Sequence, residues 1–302
     1  MPCLVALNRD AQIVRPVLNW LAANPTKHPQ YIVLFYDIPT RLYIYPIDYG
    51  SVSYHLQQSY PGWQPFVNNL NAGTLADCEA YVDKLASIGT NYAPGKLIIS
   101  ASAGGYGNTN YVLDGIRFGG PTPGYEDYSI FGLTVAAATN GLLAAGVPSA
   151  SVLFFDGLEV VSHNILQTLP HPTGTTNVAG YVTWGVHSSL GPAYATNGAV
   201  RWNGNSGWWI IATVESFNGQ RAQSSVQGNF IKWFSPNAFG GSSYSNTPVG
   251  AVSYVEEPGV PFVENDYIYF GLWATGKNFG ICAWNARGTD FFQAAGDPLV
   301  TK

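Results

Sequence analysis

The chain has 302 residues, enough for one large domain or two small ones and for a core that needs no disulfide or metal to hold it. Only 10% of its residues are charged, against about 25% in a typical soluble domain, and 13 Lys+Arg against 18 Asp+Glu leave a net charge of −5. There is no basic stripe for nucleic acid and no charge-rich, apolar-poor composition of the disordered kind, so both classes are excluded.

The surface must then be made polar by uncharged groups, a balance that suits an extracellular or cell-envelope protein. The opening residues MPCLVALNRDAQ carry no basic n-region or apolar h-region, so a signal peptide is absent from this chain. Cys3, Cys78 and Cys282 are too few and too scattered for a disulfide framework or a zinc site, and they are expected as small buried hydrophobes.

In chain order, Ile13, Val14, Val17, Leu18 and Leu21 recur at helical spacing, with Pro16 in the first turn. Residues 31–38 (YIVLFYDI) form a continuous β-branched and aromatic run, expected as a strand buried on both faces. Residues 51–71 are polar, aromatic and marked by Pro and Gly, and are expected to be an irregular insertion. A helix opens at Thr74 and closes at Gly89, with Cys78, Tyr81, Val82 and Leu85 on its apolar face. Residues 96–100 (KLIIS) are the next strand; they lead into a Gly-rich loop and a helical stretch at 111–117 (YVLDGIR). The apolar run 131–147 is interrupted by Thr134, Thr139 and Asn140 and is short for a membrane span, so 129–145 is expected as a buried helix. Strands follow at 151–155, 178–184 and 249–255. Between the last two, residues 208–217 lean to helix, and residues 266–286 carry one long helical pattern.

Strands alternating with helices predict an α/β fold of three layers, a mainly parallel sheet with helices on both faces. No composition break marks a linker, so a single domain over 1–302 is expected, with insertions near 45–73 and 186–206. In such sheets ligands bind beyond the carboxyl ends of the strands. The groups that follow the predicted strands are Asp37 with Arg41, Ser102 in the Gly-rich loop, Asp156, His187 after Trp184, and Glu256 with Glu257. Asp37 and Asp156-Gly157 also fit turns, and His187 also fits an ordinary loop histidine. His28, His55, His163 and His171 lie on loops or polar segments and are expected to be structural. The loop at 102–107 lacks the P-loop lysine and does not fit GxGxxG.

The order YIVLFYDIPTRL, GYVTWG, VGAVSYVEEP and a closing GDPL resembles an uncharacterised family of mostly exported bacterial proteins. The match runs from about Val14 to Val300, and members of that family usually carry one further N-terminal strand and helix. The family is distantly similar to the gingipain-type cysteine peptidases, whose fold is caspase-like. The resemblance implies a catalytic His after one strand and a Cys after the next strand of the sheet. Carried onto this sequence, the His would be His187, and the Cys-bearing strand would be GAVSYVEEP, which holds Glu256 and Glu257 and no thiol. A caspase-type mechanism needs a thiolate beside an imidazole, so the resemblance implies the scaffold without peptidase activity.

Three functions fit. The first is a peptidase-like scaffold that binds a protein or glycan partner, with Trp184, Trp202, Trp208 and Trp209 lining the surface. The second is a hydrolase in which His187 is the general base, Glu257, Glu256 or Asp156 orients it or acts as acid, and Arg41 binds an anionic group. No cofactor is required, and a divalent ion on Asp37, Asp156, His187 and Glu257 is a variant of this reading. The third is a self-associating structural subunit, since low charge and many Tyr, Asn and Gly permit close packing between copies.

Overall fold

The apolar runs that read as strands all enter one eight-stranded sheet, but the run at 31–38 supplies only an edge strand, half-buried at Tyr31–Val33, and is not buried on both faces. The computed structural model describes residues 10–44, 48–58, 63–87, 95–100, 111–113, 116–118, 142, 146–148, 151–155, 174–183, 200–204, 206–213, 215–221, 228–258 and 263–302. The strands of the sheet are β1 (Tyr31–Leu34), β4 (Phe66–Asn69), β5 (Lys96–Ser100), β8 (Val152–Phe155), β9 (Val178–Thr183), β10 (Ile210–Thr213), β11 (Gly250–Tyr254) and β12 (Phe292–Gly296). Their order across the sheet is β1-β4-β12-β11-β10-β9-β5-β8. Two ribbons stand apart, β2 (Arg41–Ile44) with β3 (Asp48–Ser51), and β6 (Tyr111–Leu113) with β7 (Ile116–Phe118).

Every neighbouring pair in the large sheet is parallel except β11 with β12. That one reversal divides the sheet. β8, β5, β9, β10 and β11 point one way, and β12, β4 and β1 point the other. The carboxyl ends of β9, β10 and β11 therefore share one edge of the molecule. Leu34 at the end of β1 is in register with Asn69, then Ala295, then Ala251, level with the second residue of β11.

Helices cover both faces, as the alternation of side chains along a strand requires. On one face Ile210, Ala212 and Val252 pack with α5 (Asp266–Ala274), α6 (Phe279–Ala286) and Val14, just before α1 (Arg15–Ala23). On the other, Tyr181, Ile211 and Ala251 pack with Tyr81 of α3 (Leu75–Ser87) and with Phe230 and Trp233 of the short α4 (Phe230–Trp233). The predicted three-layer, mainly parallel α/β architecture is borne out. The closest approaches are made by glycine: a Cβ at Gly250 would lie 2.5 Å from the Phe279 ring.

Four local expectations are corrected. Residues 51–71 are not an irregular insertion; they form α2 (Val52–Gln58) and β4, an interior strand whose Asn68 and Asn69 hide it from a hydrophobicity search. These amides stay buried because both are used: Asn68 Nδ2 donates to Gly296 O at 3.2 Å, and Asn69 Nδ2 to Ser53 Oγ at 3.1 Å. Residues 111–113 and 116–118 are not helical; they pair as two antiparallel strands. The ambiguous 208–217 contains β10, because β-branched Ile210, Ile211 and Thr213 are buried on both faces. The pattern at 266–286 is two helices: α5 ends before Gly276, whose φ is +80°, and Asn278 caps α6 through Ile281 N at 2.9 Å. Of the expected helix at 129–145, only Leu142 is among the described residues, and it is buried.

Candidate functional site

The carboxyl ends of β9, β10 and β11 carry a row of polar side chains where the rest of each strand is apolar. Thr183 and Thr213 are register partners, as are Ser253 and Gln293. Ile211 pairs with Ala251, so Thr213 and Ser253, two residues further on, continue the same row. All four are fully buried. Gln293 Nε2 donates to Ser253 Oγ (3.0 Å) and to Gly219 O (2.9 Å), and Asn218 Nδ2 donates to Thr213 Oγ1 (2.7 Å). Thr183 Oγ1 has no hydrogen-bond partner among the described residues.

Beyond this row the chain turns back on itself. After β10 it passes through Phe217, held at φ 58°, and returns along β11: Phe217 N bonds Glu256 O at 3.3 Å and Gly219 N bonds Tyr254 O at 2.7 Å. Gly219 allows this approach, since a Cβ there would meet Gln293 Nε2 at 2.7 Å. Thr40 Oγ1 donates to Gly219 O at 3.1 Å and brings the start of β2 to the same place. That contact sets Arg41 against Glu256, and the two form an ion pair.

Carboxyl groups gather here. Glu215 is buried just past β10, and its Oε1 accepts from Gly228 N at 2.8 Å. Glu264 is buried before α5, and its Oε2 accepts from the Tyr254 hydroxyl. Asp266, in the first turn of α5, is 1% exposed, and neither oxygen has a hydrogen-bond partner among the described residues. Burial pushes the Glu264 carboxyl well up, reinforced by Asp266 and then Glu215; burial takes Asp266 to about 8. Asp266 therefore holds its proton at neutral pH, and burial favours the neutral form of Glu264.

Next to this edge, Tyr54, Pro258, Arg287, Thr289, Asp290 and Phe291 line a pocket of about 490 Å³. The Arg287 guanidinium lies over the Tyr54 ring at 4.7 Å and over Trp284 at 5.8 Å, and Nη1 donates to Gln57 Oε1 at 2.7 Å. Its own burial lowers its pKa.

Of the residues expected to form a site, Arg41 and Glu256 are brought together. Glu256 is partly buried in that pair, while Glu257 is exposed. Asp37 follows β1, which runs against β11, and it sits 4.0 Å from Arg221, two residues beyond Gly219. Ser102, Asp156, Trp184 and His187 lie outside the described residues. Among the described residues, no group of three or more His, Cys, Asp or Glu is placed to hold a metal ion, and no helix is long and apolar enough to cross a membrane.

Two further expectations are corrected. Trp202 and Trp209 do not line a surface: they are 2% and 0% exposed. They pack with Tyr181 and Phe239 in an aromatic cluster, Trp202 stacked on Phe239 and Trp209 edge-on to it. The neighbours of β9 in the sheet are β10 and β5, not β11. The position implied for a thiol therefore follows Thr213, where Glu215 stands, or Ser100, and no cysteine follows either strand. Glu215 was missed because 208–217 read as helix; as a strand, its end would have put Glu215 among the candidates. Glu264, Asp266 and Gln293 gave no such signal, since they start a helix or lie in a strand whose composition is not apolar.

No family model and no curated protein matches the sequence. Among solved structures, the complex of the Porphyromonas gingivalis RgpB pro- and mature domains is similar to this chain, with a TM-score of 0.58 and 13% identity, over 98% of this chain and 72% of that one. The Arg-specific cysteine proteinase gingipain R (RgpB) has a TM-score of 0.55 and 12% identity, over 94% of this chain and 67% of that one. The likeness is one of fold, and it bears out the gingipain-like, caspase-like architecture.

Proposed function

We propose that this chain is an exported peptidase-like scaffold that binds a protein partner and does not cut it. The observation that carries this is what occupies the carboxyl ends of β10 and β11. One of the structural neighbours is a cysteine proteinase. Here no cysteine occurs between Thr213 and Pro258, the stretch that holds both strand ends. Glu215 and Glu256 stand there instead, one bonded to the backbone at Gly228 and the other paired with Arg41. Nucleophilic thiols are exposed and have lowered pKa values. Cys282 is buried on α6 with its thiol pushed up to about 12 by burial, and burial raises Cys78 as well. The Arg287 pocket supplies a recognition surface at the same edge, suited to a carboxylate on an extended peptide. The sparsely charged composition supports a place outside the cell or in its envelope.

The partly buried Glu256 beside Arg41 favours a second reading, a hydrolase with His187 as base and a strand-end carboxyl as acid. One assay separates the two. The purified chain is incubated with an arginyl-amide fluorogenic peptide and with casein, under reducing conditions. The binding reading expects no release above buffer. Turnover that disappears in His187→Ala, with the melting temperature unchanged, would overturn it.

A further inference from the structure

A second cavity, of about 960 Å³, opens where β11 begins, at the opposite end of that strand from Glu256. Asp83, Lys84 and Ser87 of α3 form one wall, and Ser243, Tyr244 and Asn246 form another. Lys84 is 8% exposed. Its Nζ donates to the carbonyl oxygen of Thr247 and, at 3.1 Å, to Thr247 Oγ1. Among the described residues, no carboxylate forms an ion pair with it. Asp83 is the next residue on the helix, and adjacent helical side chains do not face each other. The other acid nearby, Asp77, is engaged: its Oδ1 accepts from the Tyr244 hydroxyl at 2.8 Å and its Oδ2 from Thr74 N at 2.9 Å. Burial without a counter-charge lowers the Lys84 amine to about 7.

A free amine with two N–H bonds donated to Thr247 keeps its lone pair in the remaining tetrahedral direction. Lys84 is itself part of the cavity wall, and Thr247 is not. Gly207 stands at the wall, where a Cβ would come within 3.7 Å of Lys84 Cε. The rest of the lining is four serines, Tyr244 and Asn246 among Ala80 and three glycines, and Asp83 is its one carboxylate. An anion is therefore disfavoured once the amine is neutral, and a neutral ligand with hydroxyl groups is favoured.

We propose that this cavity is a carbonyl-binding site in which Lys84 condenses with a small, uncharged, hydroxylated aldehyde. The nitrogen lone pair attacks the carbonyl carbon and forms the C–N bond. The carbonyl oxygen then leaves as water with both amine protons, and an imine remains. Hydroxyls of the aldehyde meet the serine and tyrosine hydroxyls of the loop. Asp83 from the helix and Tyr244 from the loop are the other titratable groups of the cavity wall; residues 204–207 carry none.

The test uses the wild-type chain, D-glyceraldehyde and sodium cyanoborohydride, which delivers hydride to the imine and fixes it as a secondary amine. Peptide mapping by mass spectrometry then compares Lys84 with the chain's five other lysines. The expected result is that Lys84 is labelled at least tenfold faster than Lys277 at pH 7.5, with a rate that rises through pH 7 and then levels. Ser87→Trp, at an exposed position on the cavity wall, should suppress that labelling without changing the other lysines. Labelling of Lys84 no faster than of Lys277, or labelling unaffected by Ser87→Trp, would overturn the proposal.

Discussion

The two ends of β11 treat buried charge in opposite ways. At its carboxyl end, Glu264 and Asp266 are buried acids whose pKa values are raised, so they are kept neutral by holding protons. At its amino end, Lys84 is a buried base whose pKa is lowered, so it becomes neutral by losing one. In both places burial outweighs any counter-charge, because water solvates the charged forms better than the protein does. The contrast lies in access. Asp266 is enclosed, whereas Lys84 lines an open cavity, so only the second neutral group can meet a ligand.

The largest expected effect would break the frame at the amino end. Trp209 is fully buried, edge-on to Phe239, and its Nε1 donates to Asn246 O at 3.1 Å. Trp209→Ala should cost about 3–5 kcal/mol in urea unfolding, the range for a large aromatic removed from a core. It should also disturb the Lys84 cavity, because Asn246 is on its wall. A loss below about 1 kcal/mol would mean that the aromatic cluster is not the support described.

The next effect sharpens the contrast by pH. Asp266 has a folded pKa of about 8 against 3.8 when unfolded. Its contribution is fully present below pH 4 and is lost as pH rises toward 8, because the folded form holds the proton over that window. Lys84 has a folded pKa of about 7 against 10.5. Its contribution is present above 10.5 and is lost as pH falls through 7. Asp266→Asn should remove up to about 1.4 kcal/mol of slope per pH unit between pH 5 and 7, and Lys84→Met should remove an opposite slope between pH 8 and 10. Unfolding free energies at several pH values, variant against wild type, check both signs. Equal slopes in wild type and variant would contradict the assignment.

Smaller effects follow from packing and from the surface. Gly250→Ala places a methyl group against the Phe279 ring and should cost about 1–3 kcal/mol by chemical denaturation, as overpacking does. Arg41→Ala removes a partly exposed ion pair, with side chains 33% and 17% exposed, and should cost less than about 1 kcal/mol. A greater loss for Arg41→Ala than for Gly250→Ala would show that the strand-end assembly depends on that ion pair more than on the packing of the sheet.

How far the sequence discloses all this depends on whether a residue's neighbours are local. The strands at 31–34, 96–100, 152–155, 178–183 and 250–254 are visible because apolar β-branched runs have few other uses. β4 and β12 are not, because Asn68, Asn69 and Gln293 become acceptable interior residues only once Ser53, Gly219 and Gly296 are in place. The helix at 75–87 was expected, but its buried face was placed about one residue off. Val82 is exposed and Lys84 is buried, because Asp77 is fixed at the helix start by Thr74 N and Oγ1 and Lys84 finds two acceptors on Thr247. Hydropathy favours the opposite rotation. At the candidate site, the pairing of Arg41 with Glu256 was within reach of a strand-end list. Glu215 needed β10 to be recognised as a strand, and Glu264 and Asp266 needed the position of α5.

The central claim is that the carboxyl ends of β10 and β11 carry no working nucleophile. A peptidyl-arginyl chloromethyl ketone tests it most directly, since it alkylates a cysteine or histidine only where a peptidase site assembles around it. After incubation of the folded chain and proteolytic mapping, the account predicts no adduct on Cys3, Cys78, Cys282 or His187. A stoichiometric adduct on any of these, absent when the chain is first unfolded, would contradict it.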